Sequence, residues 1–452
     1  MFREKVKSFH FVGIGGIGMS GIAQILLDMG YKVSGSDIKE NRNIELLRKK
    51  GAKVYIGHRE ENVEGVQVVV YSSAVSENNP EIRKAKASGV PVIPRGEMLA
   101  EIFRLGEGIA VSGSHGKTTT TSMIAHTFHL AGHDPTVLIG GVLHSLGSNA
   151  KLGKDKLIIS EADESDGSFL RLLPTVAVVT NVDKEHIGFY KDIEDIKMAF
   201  LKFVDSVPFY GFAVLNMDEE NCTWLAERTH RRVVGYGIHK DAQVMAKNLR
   251  LLEGRYLFEL FWEGRRLGEV HLGVPGKHNV YNALACACVC LEAGIEFPTI
   301  KKSLESFKNA ERRIDLKGYI GSVPVYDDYG HHPTEIRAVL RAIRDMHPDR
   351  SIILAFQPHR YSRTYHLFKE FLEVLKEADL CLLTDVYPAG EENYYGVRAQ
   401  ELAERAGCIF CPTKEDLFDA IEEQISEDKV VLFMGAGNIS KWCEEFLTFK
   451  RS

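Results

Sequence analysis

Ile109-Ala110-Val111-Ser112-Gly113-Ser114-His115-Gly116-Lys117-Thr118-Thr119-Thr120-Thr121 reads as an apolar strand, a tight glycine loop and a Thr-rich helix, in that order. Such an order makes a phosphate cradle. Glycines let backbone N–H groups approach phosphate oxygens, and the helix N-terminus adds its partial positive charge. Lys117 neutralises the β and γ phosphates of ATP, and Thr118 can ligate Mg²⁺. The candidate ATP-binding residues here are Gly113, Ser114, His115, Gly116, Lys117, Thr118 and Thr119. The general motif places a glycine five residues before the Gly-Lys-Thr, where this chain has Val111. The loop is a shortened variant, with Gly113 three before Gly116.

Outward from the loop, Leu157-Ile158-Ile159-Ser160 forms a second apolar strand that ends in Glu161. Open α/β sheets bind ligands at the carboxyl ends of their strands. The continuation Ala162-Asp163-Glu164-Ser165-Asp166 would repel a triphosphate unless a divalent cation intervened, although a solvated loop is the alternative reading. A third strand, Val176-Ala177-Val178-Val179-Thr180, leads to His186. The expected metal ligands are therefore Thr118, Glu161 and His186.

Apolar runs alternate with amphipathic stretches along most of the chain, which predicts an α/β protein with parallel sheets covered by helices. At 452 residues the chain is too long for one core. Three domains are expected, over 1–107, 108–309 and 310–452. Residues 233–274 suggest hairpins appended to the middle block, before a helix beginning near Asn279. In the first block Gly13-Ile14-Gly15-Gly16-Ile17-Gly18 follows a strand and opens a helix, and Asp37 ends the next strand. This satisfies the context of a diphosphate-binding fingerprint and, taken alone, fits an NAD-dependent oxidoreductase. Which diphosphate it holds stays open at this point.

The third block reads as a further doubly wound domain, with suspect residues after its strands. These are Asp327-Asp328-Tyr329-Gly330-His331-His332-Pro333 and Gln357-Pro358-His359-Arg360-Tyr361-Ser362-Arg363-Thr364. Arg360 and Arg363 could clamp a carboxylate or phosphate. Adjacent histidines diverge and no Cys or acid spacing completes a tetrahedral site, so zinc is not expected at His331-His332. Cys408-Ile409-Phe410-Cys411 reads as a short strand with its sulfurs on opposite faces, and Cys286, Cys288 and Cys290 as small core residues of a helix.

A composition of 44% hydrophobic and 26% charged residues is that of a globular protein, and no apolar run approaches the ~20 residues of a membrane span. The polar start runs straight into Phe9-His10-Phe11-Val12, which leaves no room for a signal peptide, so a cytoplasmic location is expected. A net charge of −6 gives no reason to expect nucleic acid. Small-molecule partners are expected.

Taken together, these motifs resemble those of the ATP-dependent Mur ligases. The carriers are Gly13-Ile14-Gly15-Gly16-Ile17-Gly18-Met19-Ser20, the shortened phosphate loop, Glu161-Ala162-Asp163-Glu164-Ser165-Asp166, Pro275-Gly276-Lys277-His278-Asn279, and the two C-terminal loops. The likeness spans nearly the whole chain. It implies a Rossmann-like N-terminal domain for a UDP-sugar, a central P-loop ATPase domain and a Rossmann-like C-terminal domain that brings the amino acid. The implied reaction joins L-alanine to the lactyl carboxylate of UDP-N-acetylmuramate, with ATP and Mg²⁺, in peptidoglycan precursor synthesis. Cell-wall biogenesis, cell shape and cell division would depend on it. A relative that attaches a recycled tripeptide to the same UDP-sugar is the alternative within the family.

The resemblance also assigns roles residue by residue. Gly13, Gly15, Gly16, Gly18, Met19 and Asp37 would serve the UDP-sugar. His278, Asn279 and Asn282 match the adenine-side motif, and Arg313 and Asp328 the nucleotide contacts of the C-terminal domain. Tyr329, His331, Arg360 and Arg363 would orient the amino acid and acyl group, with Lys117, His186, His331, Arg360 and Arg363 as the catalytic set. One stretch departs from the pattern. The family reads Asp-His-Met-Asp before an aromatic residue, and this chain reads Glu185-His186-Ile187-Gly188-Phe189. Some members use a carbamylated lysine beside the metal; Lys197 and Lys202 are nearby, and neither is assigned.

Overall fold

The computed structural model describes residues 5–143, 148–184 and 189–449. His186, with its neighbours Glu185, Ile187 and Gly188, lies outside the described residues.

The chain opens with β1 (Ser8–Val12), β2 (Lys32–Asp37), β3 (Lys53–Ile56), β4 (Val68–Tyr71) and β5 (Val92–Pro94), arranged in the order β3-β2-β1-β4-β5. Every pairing is parallel, as a Rossmann-like sheet requires. Strand order reverses between β1 and β4, and the glycine loop leaves β1 at that switch point. Phe11, Val12, Val69 and Val70 are wholly buried, so the central strands are covered on both faces.

The middle sheet contains β6 (Glu107–Ser112), β7 (Thr136–Leu143), β8 (Ser148–Lys151), β9 (Leu157–Glu161), β10 (Val176–Val179), β11 (Phe212–Asn216) and β12 (Val233–Gly237). Their order is β12-β11-β10-β6-β9-β7-β8, which places β6, the strand before the phosphate loop, between β10 and β9. Here the sequence reading needs a correction. Residues from Val233 were expected to start hairpins, but β12 pairs in parallel with β11, from Ala213↔Val233 to Asn216↔Tyr236. Gly235 is constrained by close approach, since a Cβ there would lie 2.6 Å from Met217 Cγ.

By packing, the chain divides into two compact units: Met1–Asp183 with Ile193–Val244 and Ala283–Ser303, and Lys184–Asp192 with Met245–Asn282 and Leu304–Ser452. The second unit holds nearly all of the consecutive strands β13 (Val244–Leu252), β14 (Arg255–Trp262) and β15 (Arg265–Pro275), of which β14 and β15 pair antiparallel as the Gly-turn pattern predicts. It also holds β16 (Asp315–Ile320), β17 (Val323–Asp328), β18 (Ser351–Phe356), β19 (Leu380–Leu383), β20 (Ile409–Phe410) and β21 (Lys429–Met434). Their order is β16-β17-β21-β18-β19-β20, parallel apart from β16. β21, the last strand in sequence, therefore lies in the middle.

None of the eight cysteines is in a disulfide. Cys408 and Cys411 flank β20 and pack into different cores, as alternation along a strand requires. No helix among the described residues is long and apolar enough to cross a membrane.

Candidate active site

β6 delivers Ser112 to the loop, and the helix Lys117–Leu130 leaves it. Gly113 has φ of 131°, and a Cβ there would lie 2.1 Å from Thr180 Oγ1, so no larger residue fits. Gly116 adopts φ of 84° and ends the turn without a side-chain cap, which leaves the positive end of the helix to a ligand. The segment after β10 clamps the loop. Ser114 N–H donates to Asn181 O (3.2 Å) and His115 N–H to Asn181 Oδ1 (2.8 Å), while Asp183 N–H donates to Ser114 Oγ (2.8 Å). Two amides that the sequence offers to phosphate are thus held by Asn181. The His115 ring also lies 2.9 Å from the Asp183 carboxylate.

Lys117 is folded onto its own loop. Its ammonium donates to Gly113 O (2.5 Å) and to Glu164 Oε1 (2.8 Å), and Glu164 is 2% exposed. Glu161 ends β9 one strand away and accepts the N–H of Gly140 at 2.7 Å. A Cβ on Gly140 would come within 2.8 Å of that carboxylate, so this glycine makes room for Glu161. Asp163 follows. Burial would raise its pKa, but Arg95 and Lys117 outweigh burial and hold the carboxyl below the usual range. Arg95 Nη2 lies 2.9 Å from Asp163.

Arg95 ties this acidic turn to the glycine loop of the first sheet, for a Cβ on Gly18 would sit 3.1 Å from its guanidinium. Between them lies a cleft of about 330 Å³ whose walls include Gly16, Gly18, Met19, Arg95, Lys117 and Glu161. The first-sheet glycine loop and Lys117 therefore border one space. Asp37 sits at the end of β2 as expected, but its carboxylate is engaged: Oδ2 accepts Gly15 N–H (2.9 Å) and Oδ1 accepts Ile38 N–H (2.7 Å). Gly13 N–H donates to Ser36 O at 2.8 Å.

In the second unit, Asp328 organises two loops. Its Oδ2 accepts Ile314 N–H at 2.8 Å and its Oδ1 accepts Gly330 N–H at 2.7 Å. Burial pushes the Asp328 carboxyl up to about 6, against the pull of Arg313 and of those two N–H groups. Arg312 and Arg313 lie over the Tyr329 ring at 4.9 and 5.5 Å. His331 N–H donates to Glu335 Oε2 at 2.9 Å, and the His331 ring lies 5.7 Å from that of His359. His332, the other half of the doublet, caps the helix Pro333–Met346 with a capping box.

His359 carries no role that the sequence pattern assigns. It stacks on Tyr387 at 5.6 Å, and Arg363 Nη1 lies 3.2 Å from its Nδ1. Burial, then His331, Arg363, Arg360 and Arg312, press its pKa down to about 3, so the ring is neutral at pH 7. Arg360 has φ of 71°, strained for a side-chain-bearing residue, and its guanidinium lies 3.7 Å from Glu391. Arg312, Arg313, Arg360 and Arg363 make this a cationic cluster suited to a carboxylate or phosphate. His278 is neutral too, lowered to about 4 by burial and then by Arg313. Asn279 and Asn282, on the same helix, are joined at 2.9 Å from Asn282 Nδ2 to Asn279 Oδ1.

A shortened phosphate loop with an acid at the neighbouring strand end, and a second glycine loop bordering the same cleft as Lys117, define the layout of a nucleotide-dependent enzyme. The chain belongs to the Mur ligase family: models described as the Mur ligase family catalytic domain, the Mur ligase middle domain and the Mur ligase glutamate ligase domain match residues 8–107, 111–290 and 312–437. It is 63% identical over 447 residues to a UDP-N-acetylmuramate–L-alanine ligase of Aquifex aeolicus, covering 99% of this chain and 98% of that one. A protein of the same name from a Hydrogenobaculum species is 53% identical, with 99% of each chain covered. Among solved structures, the UDP-N-acetylmuramate-alanine ligase of Thermotoga maritima superposes with a TM-score of 0.85 at 29% identity, over 98% of this chain and 99% of that one.

Proposed function

We propose that this chain is an ATP-dependent ligase that joins L-alanine to the lactyl carboxylate of UDP-N-acetylmuramate. It would act in the cytoplasm, as the first amino-acid addition in peptidoglycan precursor synthesis. The observation that carries the reading is the shared cleft, where Lys117 and the first-sheet glycine loop face one space. The full-length likeness to relatives bearing that activity in their names supplies the substrates. Segment 1–107 would bind the UDP-sugar, 108–309 the ATP and 310–452 the amino acid.

In the first step a lactyl carboxylate oxygen attacks the γ-phosphorus, the bond to the β–γ bridging oxygen breaks, and ADP leaves an acyl phosphate. Next the L-alanine amine attacks the acyl carbon, the bond to phosphate breaks, and the nitrogen loses a proton. Lys117 screens the meeting of anions and the charge on the transferred group. Gly13, Gly15, Gly16, Gly18, Met19 and Asp37 form or support the diphosphate loop. His278, Asn279, Asn282, Arg313 and Asp328 serve the nucleotide. Tyr329, Arg360 and Arg363 orient the amino acid, and His331 takes or directs the amine proton.

The donor chemistry fits Mg²⁺: the Thr118 hydroxyl, on the helix that leaves the loop, and the Glu161 carboxylate, at the end of the strand beside β6, are hard oxygen donors. With His186 these residues would hold the ion, which would neutralise charge between carboxylate and triphosphate.

The test is phosphate release with ATP, Mg²⁺ and UDP-N-acetylmuramate across a panel of amino acids, with hydroxylamine to trap the acyl phosphate. L-Alanine should give the highest rate and a hydroxamate should accumulate. Turnover with a tripeptide and none with L-alanine would move the protein to the recycling branch. NAD binding without turnover would restore the oxidoreductase.

A further inference from the structure

Glu81 is a carboxylate with no exposed surface, placed by the helix Pro80–Ala87 against the back of β1 and β2. It does not line the cleft, and no step above uses it. Yet its surroundings are built for an anion. Ser36 Oγ–H donates to Oε2, Asn62 Nδ2 donates to Oε1 at 2.6 Å, and Arg59 N–H reaches Oε1 at 3.3 Å. The rings of His10 and His58 lie 3.4 Å from Oε2, and His58 Nδ1 also lies 2.9 Å from Ser36 Oγ. Burial would raise the Glu81 pKa, but the His10 ring beside it and hydrogen bonds from Ser36 and Asn62 bring it down to about 2, so the group is ionised at neutral pH.

A buried carboxylate with this many donors costs desolvation that an apolar residue would avoid, which asks what it holds in place. The answer lies one bond along. Ser36, whose side chain Glu81 fixes, accepts Gly13 N–H (2.8 Å) and Ile14 N–H (3.0 Å) on its carbonyl. The next residue, Asp37, accepts Gly15 N–H. Three consecutive amides of the glycine loop are therefore set by the last two residues of β2. The helix that follows, Ile17–Asp28, starts with no side-chain cap, and its first residues line the cleft. Where those amides point depends on where Ser36 sits.

We propose that Glu81 is a positioning residue for diphosphate recognition: through Ser36 it fixes the carbonyl that aims the glycine loop and the first turn of the following helix into the cleft. This rests on the reading of that loop as the UDP-sugar site. The residue touches no substrate. Its effect is confined to the affinity of one of the three.

The experiment compares Glu81→Gln, Ser36→Ala and the double variant with the parent, in direct binding of UDP-N-acetylmuramate and in steady-state kinetics. Each single variant should raise the Kd and KM for UDP-N-acetylmuramate roughly tenfold, the effect of losing one charge-assisted hydrogen bond. Changes in kcat and in the KM for ATP and L-alanine should stay within about twofold, and the double variant should be no worse than the worse single one. A lowered melting temperature with all three KM values unchanged would mean a purely structural network and would overturn the inference. Should Glu81→Gln fail to fold, Ser36→Ala carries the same test. Failure of the parent itself to bind UDP-N-acetylmuramate would sink the functional reading, whereas parent-like binding by Ser36→Ala sinks only this one.

Discussion

Lys117 and Glu164 form a part-buried ion pair, 2.8 Å from ammonium to carboxylate, beside the phosphate loop. Without nucleotide the lysine has an internal anion to neutralise it. A triphosphate must compete for it.

Replacing Lys117 by Ala should abolish phosphoryl transfer, with a fall in rate of at least about 10³-fold, since the charge on the transferred group loses its main protein partner. UDP-N-acetylmuramate binding should persist. Because Glu164 would be left buried without its cation, stability should drop by about 3 kcal/mol. Near-normal ADP release by this variant would refute the phosphate-loop assignment.

Glu164→Gln should act in two directions at once. Melting temperature falls as the pair is broken. Binding of metal-free ADP tightens by roughly tenfold, because the competing carboxylate is gone. Calorimetric titration of both proteins checks this, and an unchanged Kd would show that the pair does not gate the loop.

Asp328 gives a pH signature of definite sign. Its carboxyl is raised to about 6 in the fold, above an unfolded value near 3.9, so the folded protein binds the extra proton between these limits. Its contribution to stability is present in full below about pH 4 and lost as pH rises through 6. Asp328→Asn, which cannot titrate, should gain on the parent by about 3 kcal/mol between pH 4 and 7. His278, lowered to about 4, works the other way, its contribution being present above pH 6.5 and lost as pH falls. Unfolding midpoints of parent and Asp328→Asn across this range decide the matter; a constant difference between them would be the contrary result.

Arg360 holds a positive φ that favours glycine. Arg360→Gly should therefore raise stability by about 1 kcal/mol while raising the KM for L-alanine strongly. Arg360→Ala should share the kinetic defect without the gain in stability. If the two variants melt together, the strain carries no cost.

His331→Ala should slow the second chemical step by roughly 10²-fold, the ordinary scale of a lost proton acceptor, and spare acyl-phosphate formation. Single-turnover assays resolve the two. An unchanged second rate constant would remove His331 from the proton path.

The strand, loop and helix around Lys117 were legible because each is a local pattern: an apolar run, glycines where the backbone must turn, and a helix start. The glycine loop after β1 was legible for the same reason. What the sequence could not convey was direction. Glu164 belonged to an acidic run that read as a charged neighbour of phosphate, and only the fold shows that it turns inward to meet Lys117. Asp37 stood at the strand end that the diphosphate-binding fingerprint requires, and its oxygens are already bonded to backbone. Glu81 and His359 gave no signal, since Asn62, which donates to Glu81, and Tyr387, which stacks on His359, are 19 and more residues away, and both contacts depend on burial that spacing does not encode. The segment from Val233 misled, because glycine serves both turns and close contacts.

β21 is made last and placed in the middle of its sheet. Val325 of β17 waits for Val431, and Ile353 of β18 for the same residue, so neither half of the sheet has its partner until synthesis has passed Met434. The first sheet is complete as soon as Pro94 of β5 is available. This orders the birth of the protein from the amino end, with the sheet of the last block closing after the first. A nonsense mutation between Phe356 and Lys429 would leave β17 and β18 as bare edges, open to pairing with other chains.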